Sequence, residues 1–320
     1  MKTGRFLILL VVFGLSLAQV GLAQEDVSKY PSRPITFICP SATGTTIDLS
    51  NRLIAKELER TLGQPVVVVN KPGAAFTIGT ATVASAKPDG YTIGYTGGPP
   101  LWFTPLLEKV SYDPLKDLRM VAGYGVFNAA VMVKGDSPFK TFKEVIDYAR
   151  QNPKKVTYGT TGTNSIMHIA FVQIAKQENV QMTHIPFEGD VDTPLLGGHI
   201  TFGGGNVTPS LVEAGRVRLL MMLKEERSAE YPDIPRLRDL GYNIPWPNMA
   251  SIMAPKAVPD AIIKKLDDSV ATVMKSPSVL KGMKDLQLPV LYHSSKELDT
   301  YIAKNFEYYN RVFKEMGLVK

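Results

Sequence analysis

The chain has 320 residues, 36 Lys and Arg against 30 Asp and Glu, a formal net charge of +6 and 44% hydrophobic residues. That composition excludes a disordered chain, and a mild basic excess without runs excludes an electrostatic footprint for nucleic acid. A single cysteine, Cys39, excludes an internal disulfide and a cysteine-built zinc site.

At the N-terminus Lys2 and Arg5 precede an apolar run over residues 6–22, and Gly21-Leu22-Ala23 supplies small residues at the exit. This pattern predicts a secretory signal (1–23) cleaved near Ala23 and a periplasmic destination. The alternative, an uncleaved anchor, would need roughly 20 apolar residues to span a bilayer. No cysteine stands directly after the cut for lipid attachment. The mature chain of about 297 residues carries a net charge of about +4 and is long enough to favour two lobes over one core.

After the leader, short β-branched runs at 34–39 (PITFIC), 65–69 (PVVVV) and 217–222 (VRLLMM) read as buried strands. Helical segments alternate with them. Thr141 with Glu144 forms a capping-box pattern ahead of Phe142, Val145, Ile146 and Ala149. Ser294 with Glu297 does the same for a long C-terminal helix that Gly317 terminates. The alternation predicts an α/β protein with mixed, mostly parallel sheets. Cys39, inside an apolar run, is expected to be a buried thiol.

Ligands of open α/β sheets collect where loops leave the carboxyl ends of strands. Two loops combine glycine, hydroxyls and a helix start: 40–52 (PSATGTTIDLSNR) and 158–169 (YGTTGTNSIMHI). Free N–H groups and the positive end of the helix dipole favour anions there. Asp48, three residues after Thr45, reads either as a capping residue or as a ligand contact. Thr163 or Asn164 is the expected N-cap of the second helix. His168 then lies one turn in, either as a site residue or as a neutral packed histidine.

Catalytic signatures are missing. There is no Gly-x-Ser-x-Gly elbow, phosphate loop or dinucleotide fingerprint, and Ser137-Pro138-Phe139-Lys140 stands on a turn without companion motifs. His168, His184, His199 and His293 lack metal-ligand spacing. No cofactor, metal or catalytic residue is expected. Trp102, Phe103, Phe127, Phe187 and Trp246 serve either as core or as a stacking surface.

At its two loops the chain resembles the solute-binding receptors of tripartite tricarboxylate transporters, the TctC or Bug-receptor family. Pro40, Gly44, Asp48 and Arg52 match the family's Pro-Phe-x-x-Gly-Gly-x-x-Asp and Ala-Arg opening. Thr160, Gly162, Asn164, Ser165 and His168 match its Ser-x-Gly-x-Gly-Ser-x-x-His loop, and segments 63–74, 87–98, 185–202 and 226–242 follow in family order. The likeness runs from about Tyr30 to Gly317.

The resemblance implies a two-lobe periplasmic binding protein (Venus-flytrap, type II-like) fold. Residues 24–124 plus 248–320 would form lobe 1 and 125–247 lobe 2, with crossings near 123–127 and 244–249. It implies no enzyme, but a monomeric receptor that holds a small organic carboxylate and delivers it to the integral membrane permease subunits of its transporter. By position, Thr43, Gly44, Thr45, Thr46 and Asp48 would hold the ligand from one lobe. Thr160, Thr161, Gly162, Thr163, Ser165 and His168 would face them from the other. Tyr95, Thr96 and Gly97 would close one side, with Gly205 and Asn206 opposite.

Departures from the pattern are Ser41 for an aromatic, Thr45 for a second glycine, Asn164 for a glycine, Glu188, and a loop about two residues shorter after Gly189. A receptor of this fold serving a sensor or an ATP-driven importer, or an enzyme on the same scaffold, are the alternatives.

Overall fold

The computed structural model describes residues 27–163, 165–187 and 190–319. The expected leader (1–23), Asn164 and Glu188 therefore lie outside the described residues.

In the N-terminal part, β1 (Ile35–Cys39), α1 (Thr46–Leu62), β2 (Val66–Asn70), α2 (Thr77–Ala84) and β3 (Thr92–Thr96) come first. Two short helices, α3 (Pro99–Trp102) and α4 (Thr104–Leu107), lead to β4 (Leu118–Val126). The middle contains β5 (Ala129–Lys134), α5 (Phe142–Gln151), β6 (Thr157–Thr160), α6 (Ile166–Glu178) and β7 (Thr183–Pro186). It continues through α7 (Asp192–Leu196), β8 (Phe202–Asn206), α8 (Pro209–Glu213) and β9 (Val217–Met222). The chain ends with β10 (Met249–Pro255), α9 (Asp260–Val273), α10 (Pro277–Asp285), β11 (Val290–Ser294) and α11 (Ser295–Glu315).

Two sheets result. One has the order β11-β4-β10-β3-β1-β2, the other β7-β6-β8-β5-β9. The chain leaves the first sheet at Val126, enters the second at Ala129, and rejoins the first at Met249. Strand pairings number four parallel and five antiparallel among the described residues. The sheets are thus mixed, but without the expected parallel majority. The physical reason is the chain path: β4, β5, β9 and β10, the strands next to the crossings, pair antiparallel with their neighbours.

Local chemistry explains the elements. Both expected capping boxes form, at Thr141–Glu144 and Ser294–Glu297, each satisfying two orphan N–H groups. Cys39 is fully buried in β1. Apolar clusters cover both faces of each sheet. α1, α9 and α10 pack one face of the first sheet through Ile54, Leu58, Ile262, Leu266 and Val279. α3 and α11 cover the other through Trp102, Tyr309 and Phe313, and Ile169 of α6 joins this cluster from the second sheet. Three tyrosines of α11 also bond across to the middle of the chain: Tyr301 Oη donates to Glu225 Oε1 (2.8 Å), Tyr308 to Gln173 Oε1 (2.6 Å) and Tyr309 to Pro245 O (2.6 Å).

Trp102, Phe103 and Trp246 are buried core residues. Among the described residues no helix is long and apolar enough to cross a membrane.

Candidate functional site

The first loop folds around one carboxylate. Gly44 turns the chain with φ 85°, a conformation that strains any residue bearing a Cβ. Its N–H donates to Asp48 Oδ2 (2.9 Å), and the same carboxylate accepts from Arg52 Nε (3.0 Å) and Asn70 Nδ2 (2.8 Å). Burial pushes the Asp48 carboxyl up, but Arg52, Gly44 and Asn70 outweigh it and hold it below the usual carboxylate range. Thr45 is the N-cap of α1. Its hydroxyl accepts from Asp48 N (3.3 Å), donates to Ala42 O (2.9 Å) and lies 2.9 Å from Ser41 Oγ.

These bonds decide which groups of the loop remain open. The amides of Gly44, Thr45 and Asp48 are engaged within the loop, as is the Asp48 side chain. Thr46 and Ile47, the first two residues of α1, have N–H groups without a hydrogen-bond partner among the described residues, as the geometry of a helix start requires. Thr43 and Thr46 are exposed.

The second loop is tied to a pair of histidines. Gly162 turns it with φ 132°. Thr160, fully buried at the end of β6, donates its hydroxyl proton to Gly162 O (3.0 Å) and has His184 Nε2 at 2.8 Å. With that proton used, the hydroxyl accepts from the imidazole, which fixes the Nε2–H tautomer of His184. Ser165 Oγ donates to Thr160 Oγ1 (3.3 Å) and accepts from His168 N (3.3 Å). Ser165, not Thr163 or Asn164, is therefore the N-cap of α6. Three consecutive residues able to cap compete there, and the hydroxyl that also reaches Thr160 wins. Burial first, and the charge of His184 second, push His168 down to about 4. Thr161 and Thr163 are exposed.

A cavity of about 290 Å³ joins parts of both sheets. Thr45, Thr46 and Ile47 line it from the start of α1, Phe127 and Asn128 from the first crossing, Asn206 and Val207 from the end of β8, and Leu286 and Gln287 from the turn after α10. Of the expected site residues it gathers Thr45, Thr46 and Asn206. Thr43, Gly44, Asp48 and the second-loop residues Thr160, Thr161, Gly162, Thr163, Ser165 and His168 are not among its lining residues.

Tyr95, Thr96 and Gly97 are buried at the end of β3. Tyr95 meets Phe76 and Tyr124 edge-on, each at 6.3 Å between centroids, and the Thr96 hydroxyl has no partner among the described residues. Gly205 is buried against Val191. Asn128 and Gln287 line the cavity but carry no motif. Their only sequence signal is an uncharged amide near a turn or crossing, which is too common to single out.

A family profile described as "Tripartite tricarboxylate transporter family receptor" matches residues 50–318. The chain belongs to this family of solute-binding receptors. A protein from the gbd 5′ region of Cupriavidus necator is 33% identical over 303 residues, covering 93% of this chain and 92% of its own. Among solved structures, a TctC solute-binding protein from Polaromonas aligns with a TM-score of 0.81 at 26% identity, over 89% of this chain and 99% of that one. An adipate-bound protein of R. palustris shares the fold, with a TM-score of 0.74 at 24% identity over 90% and 98% of the two chains. The receptor is thus a periplasmic binding protein of two lobes, from a family that serves membrane transporters.

Proposed function

We propose that this receptor is exported behind a leader ending near Ala23, clamps one small organic carboxylate between its lobes, and delivers it as a monomer to its permease without chemical turnover. Residues 24–124 plus 248–320 and residues 125–247 are the two bodies that close. The observation that carries the reading is the open first turn of α1. Among the described residues the amides of Thr46 and Ile47 have no partner at the positive end of a 17-residue helix, and Thr46 and Ile47 line a cavity shared with Asn206 of the other sheet. Oriented N–H donors replace water around an anion without a paired cation.

The second loop offers a similar helix start at Ile166 and Met167, which follow the N-cap Ser165. In this reading it meets the ligand when the lobes shut. The adipate held by the structurally similar R. palustris protein supports a carboxylate of modest length.

Thermal melting and calorimetric titration of ligand-stripped mature protein with aliphatic and aromatic acids test the reading. A stabilising carboxylate raises the melting temperature by mass action. Silence across such a panel would remove the proposal.

A further inference from the structure

Lys224 is 5% exposed, yet its ammonium forms no ion pair within 4.0 Å among the described residues. Its hydrogen-bond partner is Asn128 Oδ1, at 3.0 Å. Asn128 is itself 6% exposed, and its Nδ2 donates to Glu230 Oε2. An ammonium can only donate and a carboxylate can only accept. The two charged neighbours therefore settle which end of the Asn128 amide is oxygen, a choice that geometry alone leaves open. Among the described residues nothing accepts the second Nδ2 hydrogen, and Asn128 lines the same cavity as Thr46, Ile47 and Asn206.

Topology places this amide at one end of the second sheet, beside the cavity. β5 starts at Ala129, which pairs with Asn206 at the end of β8, and Leu223 N bonds Ala129 O just before Lys224. Asn128, Asn206 and Lys224 thus stand at one end of the second sheet, beside the crossing from the first. Between the α1 start and Asn128 the cavity walls carry the apolar side chains of Ile47, Phe127, Val207 and Leu286, with the amides of Asn206 and Gln287 among them.

From this we infer that Asn128 is a specificity-determining residue that donates to the second carboxylate of a dicarboxylate, with Lys224 and Glu230 as its positioning residues. The inference rests on the proposed carboxylate-binding reading, in which the first carboxylate sits at the start of α1. Lys224 and Glu230 offset each other in charge, so the cavity meets an oriented amide rather than a net cation. A hydrocarbon chain spans the apolar walls, and a terminal acceptor meets the locked N–H.

Two chain-matched sets of probes test this by calorimetry: succinate, butyrate and 4-aminobutyrate, then adipate, hexanoate and 6-aminohexanoate. Wild type is expected to prefer the diacid of at least one set over its monoacid by about tenfold, the worth of one hydrogen bond to a charged group. N128A should erase that preference and leave the monoacid within about twofold. N128D keeps a partner for Lys224 but offers no donor, and should favour the ω-amino acid over the diacid. K224M should lower the diacid-to-monoacid ratio and spare the monoacid, which general loosening of the fold would not do.

A wild-type ratio in N128A or N128D, or equal binding of diacids and monoacids by wild type, would overturn the inference while leaving the receptor reading intact. A wild-type ratio in K224M would remove Lys224 from it. Failure of wild type to bind any of the six acids would also overturn the inference, whereas the receptor reading falls only on silence across the wider panel of aliphatic and aromatic acids.

Discussion

His168 and His184 lie ring on ring, with centroids 4.0 Å apart and planes inclined by 18°, directly beneath the second loop. Tyr158 also stacks on His184, with centroids 5.0 Å apart. Such a stack accommodates neutral imidazoles and resists two positive charges.

A pH dependence follows. Burial lowers both histidines, and His184 adds to the effect on His168, which is pushed down to about 4. In the unfolded chain an imidazole takes its proton near pH 6.5. Between the two values the unfolded state holds more protons, so stability is fully present above about pH 6.5 and falls as pH drops toward 4. Thermal melts of wild type and H168Q across that window should show a steeper fall for wild type, by on the order of a few degrees. Parallel curves would separate the stack from acid stability.

Thr46→Pro tests the proposed role of the Thr46 amide in anion binding. Proline suits the first helical position because its missing N–H has no helical partner there. Thr45 already has the extended backbone (φ −72°, ψ 161°) that a following proline demands. T46P should melt close to wild type yet bind its carboxylate about 10- to 100-fold more weakly, as expected for one lost charge-assisted bond. Calorimetric titration reads the difference, and unchanged affinity would exclude the Thr46 amide from the site.

Asp48→Asn tests the loop's internal frame. The carboxylate accepts from Gly44, Arg52 and Asn70, and an amide would turn one acceptor into a donor facing donors. A loss of about 2–3 kcal/mol is expected in urea unfolding. Because the folded carboxyl is held below its ordinary range, the wild-type advantage is present above about pH 4 and disappears as pH falls through that lowered value.

Gly97→Ala probes the packing just past the end of β3. A Cβ there would lie 2.6 Å from Tyr95 Oη and 3.0 Å from Met249 O. Tyr95 is held edge-on by Phe76 and Tyr124, and Met249 is strand backbone, so neither yields easily. Destabilisation of about 1–3 kcal/mol is expected in denaturant titration.

Much of the fold is legible in the sequence because its signals are local. The run 217–222 is β9 to the residue, and both capping boxes form where Thr141 and Ser294 stand three residues before a glutamate. The strand directions at the crossings are not legible, since antiparallel pairing of β5 with β8 and β9 depends on the path of the whole middle segment. At the site, the cap at Thr45 is readable, but the partner of Asp48 is not. Its carboxylate turns back to Gly44 instead of to the N–H of Thr45, and Asn70, 22 residues away, completes the set. Lys224 and Asn128 are 96 residues apart. No spacing rule links them, and only the meeting of β5 and β9 does.

The open donors at the start of α1 belong to the main chain. Replacing Thr46 or Ile47 by any residue except proline leaves an N–H in the same place, whereas a change at Phe127, Val207 or Leu286 alters the cavity wall itself. Under the proposed reading the grip on the head group is therefore insensitive to side-chain replacement, and the choice of cargo falls to the walls.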